Sequence, residues 1–70
     1  MIKQIIDLYH GTKFKIPGLE SCYRNLKLIR VTECSAAVSG ERKLKVNDKE
    51  IWAQIPISYT ISPYTVVEII

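Results

Sequence analysis

Glu50-Ile51-Trp52-Ala53-Gln54-Ile55-Pro56-Ile57 carries the clearest period-two pattern in the chain. Ile51, Ala53, Ile55 and Ile57 fall on one side of an extended backbone. Glu50, Trp52, Gln54 and Pro56 fall on the other. This alternation predicts a strand with its isoleucines inward and Trp52 outward. Pro56 lacks an amide hydrogen, so it belongs at an edge, a strand end or a bulge. Just before this stretch, Asn47-Asp48-Lys49 is a tight hairpin signal. Leu44 and Val46 take up the alternation on the far side of that turn.

Working outward, Gly40-Glu41 reads as a turn and Cys34–Ser39 as a strand, with Cys34, Ala36 and Val38 sharing one side. Tyr23–Glu33 is the longest strand candidate. Leu26 and Leu28 share a face there, but Ile29 and Val31 take the opposite parity. A β-bulge near Leu28-Ile29 repairs the pattern and bends the strand. Thr12–Ile16 alternates as well, Phe14 and Ile16 against Lys13 and Lys15, and Pro17-Gly18 ends it. The N-terminus departs from this pattern. Ile2, Ile5, Ile6 and Tyr9 stand at i, i+3, i+4 and i+7, which predicts a short N-terminal helix over Ile2–Tyr9, stopped at Gly11. Three isoleucines among the first six residues make a first strand its competitor.

Composition supports strands elsewhere. Ile, Val and Thr supply 20 of the 70 residues, whereas Ala and Leu together supply 8. β-branched side chains lose rotamer freedom in a helix and pack well on a pleated surface. A chain of this length buries only about 60% of its unfolded surface, so one small domain, residues 1–70, is expected. With Met1 in place, that domain is expected to be complete. The predicted fold class is all-β (mainly β): five or six short strands curled into a strongly bent barrel, since closure removes exposed edges. The central hairpins, and Ser62-Pro63-Tyr64 followed by Thr65-Val66-Val67-Glu68-Ile69, resemble the 3₁₀ turn and closing strand of the SH3-type barrel. The likeness covers Lys13–Ile69 in outline. It implies an SH3-like barrel with a 3₁₀ turn at Ser62–Tyr64 and a last strand at Thr65–Ile69. Trp52 stands alone where proline-binding SH3 modules carry a Trp-Trp pair, and no acidic loop precedes it. The likeness is therefore one of architecture.

Several classes are excluded on composition. No apolar run approaches the roughly 20 residues that span a bilayer. The first residues lack the continuous apolar block and cleavage site of a secretory signal. A cytoplasmic location, with Cys22 and Cys34 as free thiols, is the expectation. Cys34, beside Ser35 and Ala36, reads as a small core residue. Two cysteines and His10 give only three candidate ligands, without a Cys-x-x-Cys element, so no metal site and no cofactor are expected. There is no glycine-rich phosphate loop, no serine elbow and no His-Glu-x-x-His, and an enzyme is not expected.

An outward Trp52 on a rigid strand would be an anchor for a protein partner or a stacking platform for single-stranded nucleic acid; the alternative is a barrel strand buried on both faces, with the N-terminal helix covering Trp52. Tyr23, Lys13, Lys15, Arg42, Lys43 and Lys45 are the residues expected beside it on the curved sheet. The net charge of +3 is a mild bias that permits nucleic acid or an acidic protein face and requires neither. Val66, Val67, Ile69 and Ile70 make an apolar C-terminal strand suited to self-association or to completing a partner's sheet. The expected function is a non-enzymatic binding module acting through a protein partner. It would be of adaptor or inhibitor type, including one encoded by a mobile element. The alternative is an RNA- or single-stranded-DNA-binding barrel.

Overall fold

The computed structural model describes residues 1–70 throughout. Its strands are β1 (Ile2–Gln4), β2 (Lys13–Lys15), β3 (Tyr23–Val31), β4 (Ala36–Val46), β5 (Lys49–Gln54), β6 (Thr60–Ile61) and β7 (Val66–Ile69). They form one antiparallel sheet of seven strands in the order β1-β7-β2-β3-β4-β5, with β6 pairing β4. The all-β expectation holds.

The N-terminal helix does not form. Ile2, Lys3 and Gln4 pair with Glu68, Val67 and Val66, and only Ile5–Asp7 makes a single 3₁₀ turn. Nucleating a two-turn helix fixes several residues for few hydrogen bonds, whereas β7 offers a ready ladder. The expected stripe also breaks up, because Ile5 is buried while Ile2 and Tyr9 are exposed.

The bulge expected near Leu28-Ile29 is present: the β3–β4 register shifts between Leu28 and Arg30, leaving Leu28 opposite Val38 and Val31 opposite Ala36. A second shift lies between Arg24 and Lys27, where Asn25 takes φ +56°. Gly40-Glu41 is not a turn. β4 runs through it, and Gly40 sits at φ +146°, where a Cβ would meet the carbonyl oxygens of Arg24 and Asn25 at 3.0 Å. Glycine therefore lets the bulged β3 press against β4. The hairpin is as expected: Asn47 (φ +51°) and Asp48 (φ +63°) form a two-residue turn, both with the positive φ of a type I′ loop.

β6 lies against Ala36 and Ala37 of β4, while β7 lies between β1 and β2 at the other end of the path. The chain crosses between them through one β-turn, closed by the Thr65 N–H donating to the Ser62 carbonyl at 3.1 Å. That turn replaces the expected 3₁₀ turn at Ser62–Tyr64, and the last strand starts at Val66. The amides of Ile5 and Ile6 donate to Thr65 and Pro63 carbonyls at 3.1 and 2.8 Å, docking the first turn onto it. The sheet thus curls strongly but stays open. β1 and β5 are its unpaired ends, which corrects the closed barrel. β1 has three residues, and Pro56 offers no amide just beyond β5. A three-residue end strand offers little ladder for closing a barrel.

Nine apolar residues form the core: Ile5, Leu8, Phe14, Leu26, Leu28, Ala36, Val38, Ile55 and Val67. Of the four residues expected inward on the deciding stretch, only Ile55 is buried. Ile51 is 46% exposed and Ile57 99% exposed. The far half of the β4–β5 hairpin reaches past the core, and Ile57 follows the strand's end. Cys34 is exposed rather than in the core. It lies in a turn where Thr32 Oγ1 accepts the Cys34 and Ser35 amides at 3.2 Å each. β4 consequently begins at Ala36, two residues later than expected.

Candidate interaction surface

Register and alternation sort the expected site residues. Glu41 faces Gln54, Lys43 faces Trp52 and Lys45 faces Glu50 across β4–β5, so these six share the outer side of the hairpin. Arg42 with Ala53 and Leu44 with Ile51 share the inner side, and Tyr23 lies opposite Arg42. Lys13 and Lys15 flank buried Phe14 on β2. The seven residues therefore occupy three places. Trp52, Lys43 and Lys45 stay together, Tyr23 and Arg42 lie on the opposite side, and Lys13 and Lys15 lie on another strand.

Trp52 is half-buried, and cations cover it. The Arg24 guanidinium carbon lies 4.3 Å from the ring centroid and the Lys43 Nζ 5.3 Å. Each cation has its own carboxylate. Arg24 donates from Nε and Nη2 to Glu41 at 3.2 and 3.1 Å, a bidentate fork, and Lys43 pairs with Glu50 at 3.3 Å. Asn25 Nδ2 adds a third bond to Glu41 at 2.9 Å. The Arg24 and Asn25 bonds hold the Glu41 carboxyl below its ordinary value of 4.5. The indole is thus the floor of a cluster in which each cation over the ring has its own carboxylate.

On the inner side, the hydroxyls of Tyr23 and Tyr59 lie 3.3 Å apart. This bond, and then burial, push the Tyr23 phenol above 10.0. Arg42 stands over the Tyr59 ring, 5.6 Å from its centroid. Its Nε is buried with no hydrogen-bond partner. Below the two tyrosines runs a groove of about 180 Å³, with eight of nine lining residues apolar, Ile16, Val38, Ile55 and Ile61 among them. Tyr59 was not legible as a site residue, since it lies alone in a connector without period.

A wider cleft of about 700 Å³ opens on the outer side, between Lys13, Lys27, Gln54, Ile57 and Ile70. Lys13 and Lys27 are directly opposite each other on β2 and β3. The ion pairs of the fold are Lys15–Glu68, Arg24–Glu41 and Lys43–Glu50, so neither Lys13 nor Lys27 has a carboxylate partner. Ile57 (99% exposed) and Ile70 (76% exposed) are apolar walls of the same cleft. Lys27 and Ile57 were missed at the site, and Ile70 was expected only in a self-associating end strand, because the cleft joins segments distant in sequence. The one signal was that Lys27 shares the outward parity of Lys13.

β7 is hydrogen-bonded into the sheet on both sides, by β1 and by β2. The open edges are β1 and β5. His10 is exposed, as are both cysteines. No helix is long and apolar enough to cross a membrane. No protein-family model, no curated protein and no solved structure matches the chain.

Proposed function

We propose that the chain is a non-enzymatic binding module whose outer cleft receives an acidic, apolar segment of a protein partner. The observation that carries this reading is the Lys13–Lys27 pair. Like charges directly opposite on neighbouring strands destabilise a sheet, and an anionic partner relieves that repulsion. Exposed Ile57 and Ile70 beside the pair supply apolar surface for burial. A protein segment combines both chemistries. Nucleic acid fits less well: the lining residues include no aromatic side chain, and Trp52 is covered by paired cations. Strand addition would use the open edge of β5, since β7 has no free side. A cytoplasmic adaptor or inhibitor role agrees with this reading, and the SH3-type likeness remains one of outline.

The test is a titration with a synthetic amphipathic peptide alternating Glu and Leu, against oligothymidylate, at low and moderate salt. The peptide should perturb the Lys13, Lys27, Ile57 and Ile70 resonances, and Lys27→Glu should abolish this in a folded protein. Oligothymidylate binding at the same residues, falling steeply with salt and tighter than the peptide, would replace the protein partner with nucleic acid.

A further inference from the structure

We propose that the tyrosine-lined groove and Arg42 form a separate binding site for a small aromatic carboxylate, with the ring in the groove and the acid on the guanidinium. It opens on the other side of the sheet from the Lys13–Lys27 cleft, with Leu26 and Ile55 as the wall common to both, and its charged group, Arg42, is not part of that cleft. Three observations carry it. The first is size and lining. A cavity of about 150 Å³ walled by apolar side chains is enough to hold a benzene ring, and this groove offers about 180 Å³ with eight of nine lining residues apolar.

The second is Arg42. A guanidinium is charged at any ordinary pH. Arg24, in contrast, has Glu41 in a bidentate fork. Arg42 has no carboxylate, makes no hydrogen bond to a side chain, and its Nε is sealed from water without a partner. A half-buried guanidinium with no counter-charge in the fold leaves its outer N–H groups free to take a carboxylate. Arg42 is not itself a wall of the groove, but its register partner Tyr23 and its stacking partner Tyr59 both are, which puts the charge next to the groove's tyrosine end.

The third is the tyrosine pair. One hydroxyl donates to the other at 3.3 Å, which leaves one O–H free as a second donor toward the same end. An apolar pocket with a few convergent donors at one end is matched by a ligand with a ring and an acid group. The small volume matches a single ring better than several consecutive side chains of a protein segment.

Phenylacetate, phenylacetamide and acetate are titrated into the intact chain and followed by NMR. A tetrapeptide ending in phenylalanine is titrated alongside. Phenylacetate should shift the Tyr59, Val38 and Ile61 resonances. Phenylacetamide should bind about tenfold more weakly, the loss expected for a charge-assisted bond. Acetate should leave these resonances unmoved. Arg42→Gln should remove the preference for acid over amide. Equal affinity for acid and amide, or no shift with phenylacetate, would overturn the proposal without reference to any variant. Tighter binding of the tetrapeptide than of phenylacetate would also overturn it, by assigning the groove to a protein chain end.

Discussion

The guanidinium of Arg24 lies 4.3 Å from the centre of the Trp52 ring, joining the start of β3 to β5 across the intervening β4. Glu41, on that middle strand, holds the guanidinium in place. The indole and the arginine therefore form one unit with a carboxylate behind it. Removing the cation should uncover the ring. Arg24→Ala is expected to raise acrylamide quenching of the single tryptophan and shift its emission to the red. The exposed cation–π contact contributes about 0.5–1 kcal/mol, and the solvent-exposed ion pair with Glu41 adds little to it. A loss of about 1 kcal/mol in urea unfolding follows. Unchanged quenching would show that Arg24 does not cover Trp52.

Gly40 and Gly11 both have positive φ, +146° and +83°, yet they should respond differently to alanine. At Gly11 nothing lies within 4 Å of a new Cβ, so the cost is the unfavourable backbone region alone, about 1 kcal/mol. At Gly40 the Cβ meets two backbone oxygens and a Leu26 methyl at 3.0 Å. Backbone cannot swing aside, so overpacking adds about 1–3 kcal/mol. Thermal unfolding should rank wild type above Gly11→Ala and Gly11→Ala above Gly40→Ala. Equal losses at the two sites would contradict the close approach of β3 to β4.

Glu41 makes part of the stability depend on pH. Its carboxyl titrates below 4.5 in the folded chain because Arg24 and Asn25 bond to the charged form. A carboxyl lowered on folding contributes stability that is present above its unfolded value and lost as pH falls through the folded one. The urea midpoint of wild type should therefore approach that of Glu41→Gln between about pH 6 and pH 3. A gap that stays constant over this range would show that the Arg24–Glu41–Asn25 network does not favour the ionised carboxylate.

Lys13 and Lys27 oppose each other across β2 and β3. Lys27→Glu turns a repulsive cross-strand pair into an attractive one. The free protein should gain about 0.2–1 kcal/mol in chemical denaturation while losing the acidic ligand. A variant that loses stability would mean that the two lysines do not repel, removing the reason for an anion there.

The sequence reported strands wherever a local signal sufficed. The Asn47-Asp48 hairpin and the bulge after Leu28 were legible because turn chemistry and a break in alternation act over a few neighbours. The N-terminal helix failed for the opposite reason. Ile2, Ile5, Ile6 and Tyr9 have helical spacing, but the ladder with β7 comes from residues more than sixty positions away. Gly40 read as a turn because glycine marks both turns and close approaches, and only the carbonyls of Arg24 and Asn25 tell them apart. Trp52 was correctly placed opposite Ile51 and Ala53 in parity, yet its cover could not be read, since Arg24 lies on a different strand.

Side-chain chemistry alone determined that this chain is built of strands: twenty β-branched residues in seventy make extended backbone the low-cost conformation over most of its length. Register across distant strands decided the rest. It left the sheet open by ending it on a three-residue strand and on a strand followed by Pro56. It set Lys13 against Lys27, and it left Arg42 without a carboxylate. Alternation is a property of one strand, but which charge faces which is a property of two.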